Sequence, residues 1–200
     1  MSPQQRGEET RSNILTAATE CFAQHGYDAT GVNEICQRAG VTKGAFYHHF
    51  PSKQAVFTEL LNRWLDGLDK QLADALAGAP TVPEGLLQMA DRTEHIFDMA
   101  DEQLPMFLEF WTEARHDPVI RQEVIAPYRR YRDYFSGIIR AGIAEGSLRQ
   151  VDPDVVAQVI VSLAMGLVLQ GVLDPQGANW GGVVREGLRM LLQDLEKKPA

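Results

Sequence analysis

Apolar side chains recur at three- and four-residue intervals along nearly the whole chain, and no stretch alternates apolar with polar residues. That is the period of a helix with one buried face, so the chain is expected to be all-α. Over residues 9–25 the pattern puts Ile14, Ala18, Cys21 and Phe22 inward, and Gly26 ends the segment. A short helix is expected at 32–39 (Val32, Ile35, Cys36, Ala39), stopped by Gly40. Thr42 is placed to cap a third helix at 43–49, and Pro51 separates it from the next. Ser52 can cap a long helix at 53–77 carrying Phe57, Leu61, Trp64, Leu68, Leu72 and Leu76. Further helices are expected at 84–100, 103–116, 118–145, 153–173 and 180–196. Pro127 should kink or split the helix at 118–145, and Asp152-Pro153 reads as the cap and first residue of the one that follows.

The charge is unevenly spread. Over 200 residues, 19 Lys and Arg stand against 27 Asp and Glu, a net charge of −8. Residues 1–53 are balanced, with Arg6, Arg11, Arg38, Lys43 and Lys53 against Glu8, Glu9, Glu20, Asp28 and Glu34. The acidic excess therefore lies beyond them. From Ile35 to Thr58 there is no acid, yet Arg38, Lys43, His48, His49 and Lys53 all fall in that window. Such a window in an acidic chain marks a surface that faces a polyanion. A fold of this size buries roughly 70% of its extended-chain surface, so no disulfide or metal staple is needed. Cys21 and Cys36 lie in apolar helical patterns, and the N-terminal residues lack the apolar core of a secretory signal. Both point to a reducing, cytoplasmic setting.

The segments at 32–39 and 43–49, with Gly40-Val41-Thr42 between them, have helix–turn–helix spacing. Phe46 and Phe50, four apart, can anchor the second of these helices, which leaves Lys43, Gly44, Tyr47 and His48 outward. Lys43 and the first-turn N–H groups can meet phosphate or a guanine edge. Gly44 and Ala45 allow a close backbone approach, and Tyr47 with the histidines can donate to phosphate oxygens.

The run TGVNEICQRAGVTKGAFYHHFPSKQAVF resembles the DNA-binding signature of TetR-type transcriptional regulators. The resemblance covers residues 9–60; beyond them only the helical layout and the length match. It implies a DNA-binding domain over 8–68, with its helix–turn–helix at about 31–50. The helix at 53–77 would join this to a helical ligand-binding and dimerisation domain over 69–200. It also implies that the helix at 43–49 enters the major groove. The implied DNA contacts are Thr30, Thr42, Lys43, Gly44, Ala45, Tyr47, His48, His49 and Lys53. Gly31 stands where the family often has Ser or Thr to open the preceding helix.

Half of the 16 aromatic residues lie between Phe97 and Phe135. Such a cluster builds either a plain core or an apolar chamber with Tyr hydroxyls as polar handles. The resemblance implies the chamber, with Thr93, Phe97, Phe107, Trp111, Tyr128, Tyr131 and Phe135 as candidate lining residues. Val155 to Leu173 contains no charged residue, which by length alone would suit a membrane span. Gln158, Ser162 and Gln170 interrupt it, and acids flank it where Lys or Arg anchors are expected. The preferred reading is a helix between the chamber and a second subunit, and the resemblance implies that this helix and the last one pair with their copies. Val159, Gly166, Val184, Leu188, Leu191 and Leu195 are the candidate interface residues.

The expected protein is thus a homodimeric repressor. It would read a palindromic operator in double-stranded DNA and be released by a small apolar or aromatic effector, which the resemblance implies acts through the helix at 53–77. An activator, or a regulator without an effector, shares the same features. Cys21 and His25, four apart, could form a thiol–imidazole pair of the kind some enzymes use. No metal constellation stands out, since His48 and His49 are adjacent and His95 and His116 lack partners at ligand spacing. No cofactor is expected, and no membrane.

Overall fold

The structure is a computed structural model that describes residues 2–92, 114 and 118–197. Among the described residues there are eight helices. They are α1 (Pro3–His25), α2 (Val32–Ala39), α3 (Lys43–His49), α4 (Lys53–Ala77), α5 (Val82–Arg92), α6 (Pro118–Glu145), α7 (Pro153–Leu173) and α8 (Trp180–Leu195). The helix expected at 103–116 lies outside the described residues, as does the end of the one expected at 84–100. α1 begins six residues earlier than its apolar periodicity, because its first turns are polar all round. They are held by a capping box in which Gln5 N–H donates to Ser2 Oγ (3.2 Å) and Ser2 N–H to Gln5 Oε1 (2.8 Å). α6 continues through Pro127 as one helix. Proline removes one ladder bond, and both flanks of the helix carry buried side chains, Ile120 before it and Ile138 and Ile139 after it.

The described chain divides into two compact units. The first comprises residues 2–66 with 114 and 118–123, and the second residues 67–92 with 124–197. In the first unit Ile14, Ala18, Cys21 and Phe22 of α1 are buried with Ile35 and Cys36 of α2, Phe46 of α3, and Val56 and Phe57 of α4. The four α1 residues, Ile35, Cys36, Phe46 and Phe57 are buried as the sequence pattern predicts, whereas Val32 and Ala39 of α2 and Leu61 and Trp64 of α4 are only half-buried.

The second unit is built around Leu72, Leu86, Met89, Ile139, Leu148, Ile160, Leu188, Leu192 and Leu195. The turn after α6 is tied to the end of α8 by an isolated bridge, with Arg149 N–H on the Leu195 carbonyl (2.9 Å) and Lys197 N–H on that of Ser147 (3.1 Å). α7 is capped by the Asp152 carboxylate, which accepts from the N–H groups of Asp154 and Val155. Asp154 in turn accepts from the buried Ser136 hydroxyl and from Arg140 (2.8 Å), and the Ser136 bond above all holds its carboxyl below the ordinary range.

At Gly142 of α6 the turn folds back onto the helix so closely that a Cβ would lie 2.6 Å from Leu148 Cδ1 and 3.0 Å from Val82 Cβ. Gly142→Ala is therefore expected to lower unfolding free energy by about 1–3 kcal/mol through overpacking, read from urea denaturation. An unchanged midpoint would mean that the turn does not sit against α6 in this way.

Candidate nucleic-acid interface

The first unit presents α3 on a small aromatic core. Tyr27 lies between Phe22 and Phe57, with ring centroids 5.3 Å and 5.2 Å away. Phe46 and Phe50 are both buried, 6.2 Å apart, and fasten the underside of α3. The turn into α3 has a fixed geometry. Gly40 takes the left-handed conformation at φ 67°, Val41 N–H reaches the Cys36 carbonyl (3.0 Å) and Gly40 N–H that of Gln37 (3.3 Å). That pair of bonds is a Schellman motif, which favours glycine because a Cβ is strained there. Two residues on, Thr42 Oγ1 accepts from Ala45 N–H and opens α3.

With that underside fixed, Thr42, Lys43, Gly44, Tyr47 and His48 are exposed, and Ala45 and His49 are half-buried. Tyr47 keeps 54% of its surface open although it is a large aromatic side chain. The His48 and His49 rings meet edge to face with centroids 5.1 Å apart. Gly44 has no internal reason to be glycine: a Cβ there would meet only Thr42 Oγ1, at an ordinary 3.8 Å. Chemically the face offers a cation, N–H groups in a first helical turn, a phenol and imidazoles, over backbone that can be approached closely. This is a set suited to phosphate oxygens and base edges.

Two residues that the resemblance implies for DNA contact are engaged elsewhere. Thr30 is 1% exposed, and its hydroxyl donates to the carbonyls of Gly26 (2.7 Å) and Cys21 (3.2 Å). Burial removes that hydroxyl from any outside partner. Lys53 Nζ lies 2.6 Å from the Tyr27 carbonyl and 3.0 Å from that of Thr30. Arg38, counted in the acid-free window, turns back to Glu20 and Gln24 of α1. Gly31 opens α2 without a side-chain cap, as its lack of a hydroxyl dictates.

Sequence reading missed the brace on the other side of α3. Arg11 of α1 pairs with Glu59 of α4 at 2.9 Å and stacks over the Phe50 ring at 5.0 Å. The Arg11 hydrogen bond, followed by that of Arg63, holds the Glu59 carboxyl below its usual range against the opposing effect of burial. Only the Glu59–Arg63 pair, four apart on one helix, carries a local sequence signal. The thiol–imidazole pair is not assembled. Cys21 is buried, and burial pushes its thiol up rather than toward thiolate. His25 Nδ1 lies 2.6 Å from Glu34 Oε1.

In the second unit Tyr128, Tyr131 and Phe135 lie on α6; Thr93, Phe97, Phe107 and Trp111 fall outside the described residues. The Tyr131 hydroxyl donates to Asp69 Oδ1 (2.8 Å), whose other oxygen is paired with Arg130 (3.1 Å). Burial first, and then the Asp69 bond, raises the Tyr131 phenol above its ordinary value. Burial does the same at Tyr128. Tyr131 and Phe135 also pack against the second core. Among the candidate interface residues, Leu188 and Leu195 are buried in that core, because their face of α8 turns into the chain itself. Val184 and Leu191 are partly buried against it. Val159 is exposed and Gly166 half-buried.

Residues 14–60 match the description "Bacterial regulatory proteins, tetR family", and residues 96–195 match "BetI-type transcriptional repressor, C-terminal". The transcriptional repressor KstR2 of Mycolicibacterium smegmatis is 30% identical over 155 residues, covering 75% of this chain and 73% of its own. The transcriptional repressor DhaR of a Mycobacterium species is 27% identical over 162 residues, 80% of this chain and 81% of that one. A transcriptional regulator from Saccharomonospora viridis, crystallised in complex with choline, superimposes with a TM-score of 0.78 at 25% identity. That likeness covers 96% of this chain and all of the other.

Since glycine costs a helix about 0.5–1 kcal/mol relative to alanine, Gly44→Ala is expected to leave the thermal midpoint unchanged or raised. The same change should weaken binding to duplex DNA, because the added methyl stands where the groove must approach. Undiminished affinity in a titration would take Gly44 out of the interface.

Proposed function

The chain belongs to the TetR family of bacterial regulatory proteins, and on that premise we propose that it is a cytoplasmic transcriptional repressor that reads a palindromic operator as a homodimer and leaves it on binding a small molecule. The observation that carries the DNA half of this reading is α3. Its anchors Phe46 and Phe50 are buried and its polar residues Thr42, Lys43, Tyr47 and His48 are exposed. Lys43 supplies the charge on that face, and Gly44 and Ala45 supply the room. His49 completes the set from the edge of the same helix. Two such helices related by a two-fold axis would address half-sites about 34 Å apart or somewhat more.

The dimer rests on the outward side of α7. This helix is long and apolar enough to cross a membrane, yet its other side is packed into the second core through Val156 and Ile160. Its exposed or half-exposed residues Val155, Val159, Ser162, Gly166, Leu169 and Leu173 alternate by four and three, the spacing of a seam that packs on another helix. Val155 is 58% exposed and Leu173 71%, and Val183 and Met190 of α8 are exposed too. Gln158 and Gln170 satisfy their amides along the helix, on Ser162 Oγ and the Gly166 carbonyl. A second copy buries such a seam, and Asp152 and Asp154 at its start argue against a lipid surface. The effector would take its place in the aromatic part of the second unit, with Tyr128, Tyr131 and Phe135 as lining or neighbouring groups, and act by favouring the DNA-incompetent arrangement.

Selection of bound duplexes from a random pool tests the reading; failure to enrich any sequence would overturn it. Lys43→Ala with Tyr47→Ala removes two contacts from each reading head and should then weaken binding to the selected duplex by about a thousandfold or more, at about one kcal/mol or more per contact, with unchanged helical circular dichroism. Val159→Lys should give monomers by sedimentation, because it places a charge in a seam that is exposed in the single chain. A persistent dimer would move the interface elsewhere.

A further inference from the structure

α3 carries one permanent cation, Lys43, and two imidazoles, His48 and His49, in its last turn. His48 is exposed and His49 half-buried, and their rings meet edge to face with centroids 5.1 Å apart. Imidazole is the side chain whose charge ordinarily changes between pH 5 and 8. The charge that this helix offers to a polyanion is therefore not fixed, and depends on how many protons the pair holds.

The charged groups on the elements around α3 are committed elsewhere. Arg11 of α1 is paired with Glu59 of α4, which is shared with Arg63. On α2, Glu34 faces His25 and Arg38 turns to Glu20. Lys53, at the start of α4, faces main-chain carbonyls. α1 approaches the pair at Gly7, where a Cβ would lie 3.9 Å from His49 Cε1. Arg6, Glu8 and Glu9 of that helix are turned away from Gly7 by about 100° or more. Among the described residues no carboxylate is bonded to either ring. A carboxylate there would keep a proton on the pair in the free protein as well as in a complex, and binding would add none. A phosphate would instead be the first anion that the pair meets.

We propose that DNA binding takes up one proton per reading head on His48, so that the hold on DNA tightens as pH falls. The inference rests on the DNA-binding reading above. His48 is the exposed ring, and a protonated imidazole can donate to a phosphate oxygen from either nitrogen. His49 stays neutral, because a second positive charge on a ring centred 5.1 Å away is repelled by the first. Phosphate favours the charged ring, so the bound state holds more protons than the free one. Affinity therefore falls as pH rises through the range where imidazole ordinarily titrates, about 6.5. The added charge also releases counter-ions, which steepens the salt dependence by about 0.9 for each reading head.

The probe is a duplex that the wild-type protein selects from a random pool, titrated at pH 8 and pH 6 across a salt series, with helical circular dichroism checked at both. The wild type should bind about tenfold more tightly per reading head at pH 6, with the steeper slope of log affinity against log salt. His48→Gln should lose most of that gain, and His49→Gln should keep it. His48→Arg should show the steeper slope already at pH 8. Calorimetry of the wild type at pH 6.5, in buffers of different ionisation enthalpy, should show protons taken up on binding and needs no variant. No net uptake, equal salt slopes at the two pH values, or an undiminished gain in His48→Gln overturns the proposal while leaving the DNA reading in place. If no duplex is selected at either pH, the DNA reading fails and the proposal falls with it.

Discussion

A seven-residue helix has no stability of its own in water, since isolated helices below about 12–15 residues are marginal. α3 therefore exists, and faces the way it does, because Phe46 and Phe50 are buried beneath it. That burial sets the rotation of the helix. Turned by a third of a revolution, the same sequence would bury Lys43 or Tyr47 and expose the phenylalanines. The exposed polar face of α3 is thus a by-product of where two aromatic rings find a core, and the residues that build that core, from Ile14 to Phe57, set that face without being part of it.

Around that anchor the first unit adds fixings of a different kind. Gly40 sets the angle of the turn by accepting a left-handed conformation. Thr42 starts the helix, Arg11 and Glu59 brace its far end over Phe50, and Lys53 and Thr30 hold the loop that precedes α2. Several of these are polar groups on main-chain oxygens or buried rings rather than exposed ion pairs, which contribute little. A reading surface must hold its donors within a few tenths of an ångström, and satisfied buried polar groups give that definition more effectively than apolar contact alone.

The second unit follows another logic. α7 is apolar nearly all round, so its sequence says that it is covered on several sides but not by what. Its packing against the second core uses one side and leaves the stripe from Val155 to Leu173 open. On α8 the assignment goes the other way: the family resemblance implies Leu188 and Leu195 as interface residues, but they close the chain's own core. One helix leaves an apolar stripe open and the other closes the core, a difference that hydrophobicity cannot distinguish.

The sequence alone determined the helical class, most helix boundaries, and the outward set Lys43, Gly44, Tyr47 and His48. These follow from local rules of period, cap and turn that act within a few residues. Also legible were the glycine at the turn and the Asp152 cap. The tertiary structure decided what each long polar side chain reaches and which apolar side is left over. Lys53 meets carbonyls more than twenty residues away, Arg11 meets Glu59 across 48 positions, and Thr30 is taken into the core. Such partners are brought together by packing, and a one-dimensional pattern carries no record of a contact whose two ends share no period.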